Sequence, residues 1–168
     1  MTQLKEVAPK DVINEWLELI TGIDWEQTVV GVAAEHTPSG LVYDLPNFAP
    51  DKAESFAIVD LRDIGEKKEV DEPHYHINGE VEVHIPLSGH AKMVVGDEVH
   101  EIGVGDCLTV PTETAHFAVP DNEYVVAIVS LPNFDEANYV PIEVDGEIPS
   151  AVHFARDLYL GSVALSNQ

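Results

Sequence analysis

Closely spaced turn signals divide the chain between residues 74 and 131 into short segments, and this feature limits the possible folds most. "HYHI" is followed by "NG", "EVEVHIPL" by "SG", "AKMVV" by "GD" and "EVHEI" by "GVGD". Segments this short leave no room for crossover helices, and several of them alternate apolar and polar residues. The pattern therefore predicts an antiparallel β-sandwich or barrel rather than a fold of alternating strands and helices.

The regions on either side of this segment are less regular. Residues 9–21, "PKDVINEWLELIT", place apolar side chains at helical spacing and are followed by Gly22, which predicts one short N-terminal helix. Apolar runs at 28–34 and 41–45 and the run "FAIVDLRDI" predict further strands. The tail contains an amphipathic piece, "SAVHFARDLYL", whose secondary structure the pattern does not decide. No repeat or linker divides the chain, so we expect one domain over residues 1–168.

The charge of the chain limits its partners. Asp and Glu number 31 against 8 Lys and Arg, which gives a net charge of −23 over 168 residues. A surface this acidic repels nucleic acids and anionic membranes. No apolar run approaches the roughly 18 residues that a membrane helix needs. The N-terminus lacks an apolar signal core, and Cys107 is the single cysteine. We therefore expect a cytoplasmic protein that binds neither nucleic acid nor membrane.

Three histidines point to a metal ion. His74 and His76 are two residues apart, so an extended backbone projects both imidazoles from one face, where they can share one ion. His116 follows a proline-containing turn in a later segment and can supply a third imidazole. Three His and one carboxylate leave one or two coordination positions open, which is typical of a catalytic rather than a structural metal site.

The carboxylate must come from the next strand. Glu80, Glu82 and His84 share one face of the segment after the "NG" turn. Their common parity does not decide which glutamate joins the histidines. The glutamate that does not bind metal, together with His84, would line the same cavity and is a candidate for acid–base chemistry.

The spacing of these residues resembles the cupin family. Its first motif is matched by the His pair, by a glutamate and by a glycine, and its second by a Gly-Asp pair, a proline and a histidine. The matching residues are His74, His76, Glu82, Gly89, Gly105, Asp106, Pro111 and His116. Glu113 and Pro120 stand where the family usually has Gly and Asn. The resemblance covers about residues 56–138 and implies an all-β fold, a cupin jelly-roll β-barrel with a short N-terminal α-helix.

The resemblance also favours one glutamate. Counting back from Gly89 reaches Glu82, whereas counting the usual short gap forward from His76 reaches Glu80. We prefer Glu82, because a strand between the glutamate and the glycine has a fixed length while a turn can absorb an insertion. Glu80 is the alternative. The implied metal set is His74, His76, Glu82 and His116, holding one divalent first-row transition metal, which is Fe, Mn, Zn or Ni.

The implied function is that of a metal-dependent enzyme. The resemblance favours a mononuclear non-heme dioxygenase, with a metal-dependent isomerase or lyase of a sugar-like substrate, or a ligand-binding cupin without catalysis, as alternatives. Glu80 and His84 are the predicted catalytic residues. With only two arginines, Arg62 and Arg156, the chain is poorly equipped to clamp a phosphate, so we expect a small neutral or weakly charged substrate. Cupins are commonly dimers, and a homodimer is expected here.

Overall fold

Two antiparallel sheets dominate the computed structural model, which describes residues 10–131, 134–150 and 152–166. The helices are α1 (Lys10–Thr21), α2 (Trp25–Thr28), α3 (Arg62–Glu66) and α4 (Arg156–Ser166). The strands are β1 (Glu35–Thr37), β2 (Gly40–Asp44), β3 (Ser55–Asp60), β4 (His74–His76), β5 (Val81–Ser88), β6 (His90–Val95), β7 (Glu98–Gly103), β8 (Leu108–Val110), β9 (His116–Pro120), β10 (Val125–Leu131) and β11 (Tyr139–Pro141). None of the described helices is long and apolar enough to cross a membrane.

The chain repeatedly passes from one sheet to the other. One sheet has the strand order β1-β2-β3-β10-β5-β8, and the other has β11-β4-β9-β6-β7. From β3 onward the chain changes sheet at most connections, as in a jelly roll. The predicted all-β cupin jelly roll with a short N-terminal helix is thereby confirmed. The "NG" and "SG" turns do not close hairpins, because β4, β5 and β6 are not paired consecutively. They carry the chain across the barrel instead.

Gly89 shows why such a crossing needs a particular residue. Its φ angle of +68° lies in the left-handed region that favours glycine. A Cβ atom there would lie 2.5 Å from the carbonyl carbon of Glu123 and 2.6 Å from the amide nitrogen of Tyr124. The turn between β5 and β6 therefore lies against the connection from β9 to β10 more closely than any side chain allows.

Alternation along the strands separates the two faces of the six-stranded sheet. Val83 and Ile85 of β5 face outward, where Trp16 and Ile20 of α1 cover them. Glu82 and His84 face inward. The apolar stripe of α1 thus packs on the outside of the sheet and leaves the inside of the barrel to the site. The predicted N-terminal helix is confirmed, with Pro9 outside the described residues.

The other sheet follows the same rule. Tyr75 of β4 faces outward into an apolar cluster that contains Ala115 and Ile142. Phe117 of β9 contacts Tyr159 of α4, with ring centroids 5.3 Å apart. The alternate residues of β4 and β9 therefore point into the barrel.

One predicted strand is wrong. Residues 28–34 do not form a strand, because Asp24 caps α2 and the chain continues in turns. Val29 and Val32 pack against the cluster beneath α1, so the apolar pattern reflects burial of a turn rather than a strand. β1 lies in a stretch predicted to be a connection, since it extends into "HTPSG". The undecided piece "SAVHFARDLYL" leads into α4.

Candidate metal centre

Three strands from two sheets bring the predicted ligands together. His74 and His76 project from β4, Glu82 from β5 and His116 from β9, and His74 is the cross-strand partner of His116. One nitrogen or oxygen atom from each of the four side chains lies within 4.8 Å of every other. All four residues are buried. A group of this composition and size could hold one metal ion.

The ring nitrogens are arranged as metal ligands require. Nδ1 of His74 lies 2.9 Å from the carbonyl oxygen of Glu72, and Nδ1 of His116 lies 3.1 Å from that of Thr114. Because a carbonyl oxygen only accepts, each Nδ1 carries the proton and each Nε2 presents a lone pair. Both rings are thus fixed in the tautomer that coordinates a metal through Nε2.

The nitrogens that face Glu82 are otherwise unpartnered. Nε2 of His76 lies 3.2 Å from Oε2 of Glu82, and Nε2 of His116 lies 3.3 Å from Oε1. Both nitrogens are fully buried, and neither makes an aligned hydrogen bond within the described residues. Buried polar atoms are nearly always satisfied. These orphaned nitrogens around one carboxylate fit a bound cation.

The electrostatics of the cluster agree with that fit. Burial lowers the pKa of His74 and of His116, which keeps both rings neutral. Burial acts against ionisation of Glu82, but His76 outweighs it and holds the pKa of Glu82 well below its usual range. Burial would likewise lower the pKa of His76, but Glu82 and Glu80 raise it to about 10. A metal cation would replace the proton on His76 as the positive charge beside Glu82.

Glu80 lies outside the group of four. It precedes β5, is only 1% exposed, and places Oε2 2.7 Å from Nδ1 of His76. This contact is an ion pair rather than an aligned hydrogen bond. Oε1 of Glu80 accepts hydrogen bonds from the amide of Asp135 at 3.4 Å and from Nδ2 of Asn138 at 3.3 Å. Glu80 thus connects His76 to the segment that leads into β11.

His84 lies beside the cluster on β5. Its Nε2 makes a hydrogen bond of 3.0 Å with Oε1 of Glu82, and its ring is buried. The ring centroid lies 5.9 Å from that of His116. His84 therefore contacts the predicted carboxylate ligand without belonging to the group of four.

The cluster forms one part of the wall of a cavity between the sheets, with a volume of about 410 Å³. This is enough for a small organic molecule. The cavity wall contains further carboxylates but no Lys or Arg among the described residues. The acidic side chains beyond Glu80 and Glu82 are Glu35, Asp44, Asp71, Glu72, Asp135 and Glu136. Such a wall disfavours an anionic ligand.

Sequence reasoning missed part of this wall. Tyr139 stacks on His74 with ring centroids 4.3 Å apart, and its hydroxyl donates to Oε2 of Glu72 at 2.5 Å. Asp71 lies in a charged loop that the sequence gives no reason to single out. Tyr124 follows a turn, and its position in the sequence allows it to reach the cavity but favours a core aromatic. By contrast, His90 is 82% exposed and takes no part in the cavity, as its position at a turn predicts.

The sequence of the chain matches neither a protein-family model nor a curated protein. Its structure is similar to that of Streptomyces Pac13, a nucleoside dehydratase also solved with uridine, with a TM-score of 0.52 and 13% identity over 77% of this chain and 92% of Pac13. Oxalate decarboxylase from Lactobacillus farciminis matches with a TM-score of 0.49 and 19% identity, over 68% of this chain and 34% of that one. A cupin-2 domain protein from Shewanella frigidimarina matches with a TM-score of 0.44 and 15% identity, over 68% of this chain and 98% of that one.

At these identities the similarity concerns the fold alone, and the Pac13 match carries it. Two facing antiparallel sheets, connected as a jelly roll and carrying an inward His pair, form the cupin fold. The fold that the resemblance predicted from the sequence is therefore confirmed.

Proposed function

We propose that this cupin is a metal-dependent enzyme that acts on a small, neutral, hydroxylated molecule by proton transfer, as an isomerase or a lyase. One observation carries the proposal: a buried group of three histidines and a glutamate lies in the wall of a cavity that has no Lys or Arg among its described residues. His74, His76, Glu82 and His116 would hold the metal. When bound there, a divalent metal supplies Lewis-acid polarisation of a substrate oxygen.

The residues around this group supply the rest of the chemistry. His84 lines the cavity, and imidazole is the side chain best suited to exchange protons near neutral pH. Its hydrogen bond to Glu82 fixes the ring, so that its position relative to the substrate is set before binding. Glu80 is a second candidate, but both of its oxygens already contact protein groups. We therefore assign His84 the acid–base role and Glu80 the orientation of His76.

The reaction class also has support from a neighbour. Dehydration, the reaction named for Pac13, is an elimination that requires a base for a C–H proton and an acid for the leaving hydroxyl. The cavity of this chain offers such groups, and its acidic wall favours neutral or cationic ligands over anionic ones. This likeness is one of fold, so the reaction class is carried to this chain by analogy only, and no particular substrate follows from it.

Dioxygenation is the second candidate. The set of three histidines and one glutamate leaves positions open for a substrate and O2, and the resemblance to cupin dioxygenases rests on this same set. The acidic cavity is compatible with either reaction, because both need a substrate that the carboxylates do not repel. The two candidates differ in whether O2 is consumed.

Metal analysis tests the metal dependence that both candidates share. Protein purified without a His-tag is reconstituted with Fe(II), Mn(II), Zn(II) or Ni(II), and the bound metal is measured for the wild type, His116→Ala and His84→Asn. We expect one metal per chain in the wild type and in His84→Asn, and none in His116→Ala. A wild type without stoichiometric metal after reconstitution overturns the proposal.

Reactivity then separates the two candidates. The metal-loaded wild type is incubated with neutral aldoses, polyols and nucleosides, with and without O2, and products are followed by NMR. Turnover without O2 that is lost in His84→Asn supports the isomerase or lyase. Turnover that requires Fe(II) and O2, with O2 consumed, supports the dioxygenase instead.

A further inference from the structure

The cavity contains a second polar group away from the metal cluster. Asp71 lies between α3 and β4, and its Oδ2 accepts a hydrogen bond from the amide of Ala118 at 3.3 Å. Ala118 is two residues beyond His116 on the same face of β9, roughly 7 Å further along the strand. Tyr124, directly before β10, lines the same region. The apolar side chains of Met93 and Ala118 line the cavity as well.

Two atoms of this second group have no hydrogen-bond partner in the part of the chain that the structure describes. Asp71 is 6% exposed and Tyr124 is fully buried. Among the described residues, neither Oδ1 of Asp71 nor the Tyr124 hydroxyl makes a hydrogen bond. The Ser39 hydroxyl and the Glu72 amide lie near Asp71 and act to lower its pKa, but Oδ1 has no hydrogen bond of standard geometry from either. An unsatisfied buried polar group typically costs about 1–3 kcal/mol of stability. Two of them on one cavity wall are typical of a site whose partner is a ligand.

We propose that Asp71 and Tyr124 form a second binding subsite that recognises a hydroxyl group of a neutral polyhydroxylated substrate, whose reacting end lies at the metal cluster. The inference rests on the proposed function, since it names the substrate class of the same cavity. It gives Asp71 and Tyr124 the role of positioning residues that contact the substrate away from the reacting atoms.

The chemistry of the two groups selects the ligand. A substrate hydroxyl can donate its hydrogen to Oδ1 of Asp71 and accept the hydrogen of the Tyr124 hydroxyl, which satisfies both atoms. An ammonium group can only donate, and it would leave the Tyr124 hydrogen unpaired. A carboxylate or phosphate would face Asp71 and the other acidic side chains of the wall, and no Lys or Arg among the described lining residues balances it. A neutral hydroxylated molecule is the class that fits every part of this wall.

Binding of paired probes tests the subsite. The Zn-loaded protein is titrated with xylitol, D-ribose and uridine, and with the anionic counterparts xylonate, ribose 5-phosphate and uridine 5′-monophosphate, by ligand-observed NMR. We expect at least one neutral probe to bind at least tenfold more tightly than its anionic counterpart. Tyr124→Phe and Asp71→Asn should each weaken that binding about tenfold or more. The first removes the donor, and in the second the Ala118 amide holds the Asn oxygen, so an NH2 group faces the ligand in place of the acceptor. Tyr43→Phe and Asp145→Asn, which lie outside the cavity, should leave it unchanged.

Thermal unfolding of the same variants separates ligand recognition from a structural role. Tyr124→Phe removes an unpaired hydroxyl, so its Tm without ligand should equal or exceed that of the wild type. A lower Tm together with unchanged probe affinity overturns the proposal. So does the absence of binding by every neutral probe, or equal binding of the anionic counterparts.

Metal content distinguishes failure of the subsite from failure of the proposed function. If the wild type holds metal and the probe affinity is unchanged in Asp71→Asn and Tyr124→Phe, the proposed subsite is wrong but the proposed function is not. If the wild type holds no metal but a neutral probe binds in a Tyr124-dependent way, the metal-dependent function fails and the subsite stands.

Discussion

Oε2 of Glu80 lies 2.7 Å from Nδ1 of His76, while Oε2 of Glu82 lies 3.2 Å from Nε2 of the same ring. One imidazole therefore stands between the two glutamates that parity leaves equivalent. Nε2 faces the group of four, and Nδ1 faces away from it toward the segment before β11. A carboxylate behind a ligating histidine orients the ring and raises its basicity. This arrangement supports Glu82 as the metal ligand and Glu80 as the residue that positions His76.

Substitution of each glutamate tests this division. Glu82→Gln removes the anionic ligand, so we expect loss of stoichiometric metal. Glu80→Gln keeps the four ligands but weakens the support of His76, and we expect full stoichiometry with about 10- to 100-fold lower affinity. Competition with a chromophoric chelator measures both. Glu101→Gln, on the exposed side of β7, is the matched control and should bind like the wild type. Full metal in Glu82→Gln with loss in Glu80→Gln would reverse the assignment.

The pH dependence of stability reports on Asp71. Burial raises the pKa of Asp71 from 3.8 to about 7 in the folded protein. Between these values the folded state holds a proton that the unfolded state releases, so the contribution of Asp71 to stability falls as pH rises from 4 to 7. Above pH 7 the buried carboxylate is ionised, and it costs up to about 4 kcal/mol relative to pH 4.

The variant Asp71→Asn removes this penalty. Urea unfolding at pH 4.5, 6 and 8 should show an Asp71→Asn advantage that grows with pH and levels off above pH 7. Asp145→Asn changes an exposed carboxylate and should differ from the wild type by the same small amount at every pH. An Asp71→Asn variant that is equally destabilised at all three values would show that the carboxylate has a structural role.

The grouping of His74, His76, Glu82 and His116 was predictable because it depends on local periodicity and motif spacing. Residues two apart on a strand share a face, so His74 and His76 had to project together, and the count from Gly89 selected Glu82. The turn at Gly89 needs glycine both for its positive φ and for the close approach of the segment that connects β9 to β10. Because only glycine meets both requirements, such a position can be recognised in the sequence.

What could not be predicted depends on long-range packing. Residues 28–34 look like a strand because apolar turn residues pack beneath α1, and composition does not separate the two cases. Asp71 reaches the cavity because its loop bonds to Ala118 across 47 residues of sequence. No local pattern records that contact. The sequence likewise gives the net negative charge but does not show that the fold brings these acidic side chains together in one cavity wall.

Packing of α1 on the six-stranded sheet should contribute strongly to stability without affecting the site. Trp16 is 3% exposed on the outer face of the sheet, and Trp16→Ala should lower the free energy of unfolding by about 3–5 kcal/mol. Leu19 lies on the same helix but is 65% exposed, and Leu19→Ala should cost less than about 0.5 kcal/mol. Urea titration measures both, at a temperature where Trp16→Ala is folded. Equal losses would show that α1 does not pack through this face.

Glu113 occupies a backbone conformation that suits glycine. Its φ angle is 55°, and the cupin resemblance places a glycine at this position. A side chain in the left-handed region costs about 1–2 kcal/mol, against about 0.5–1 kcal/mol for the extra unfolded-state entropy of glycine. Glu113→Gly should therefore raise the free energy of unfolding by about 0.5–1 kcal/mol. The bond from the Glu113 amide to the carbonyl of His76, 2.7 Å long, is retained, so metal affinity should not change. Glu101→Gly, on strand β7, should instead lose about 0.5–1 kcal/mol. Equal destabilisation of both variants in urea would show that Glu113 makes a favourable contact outweighing its backbone strain.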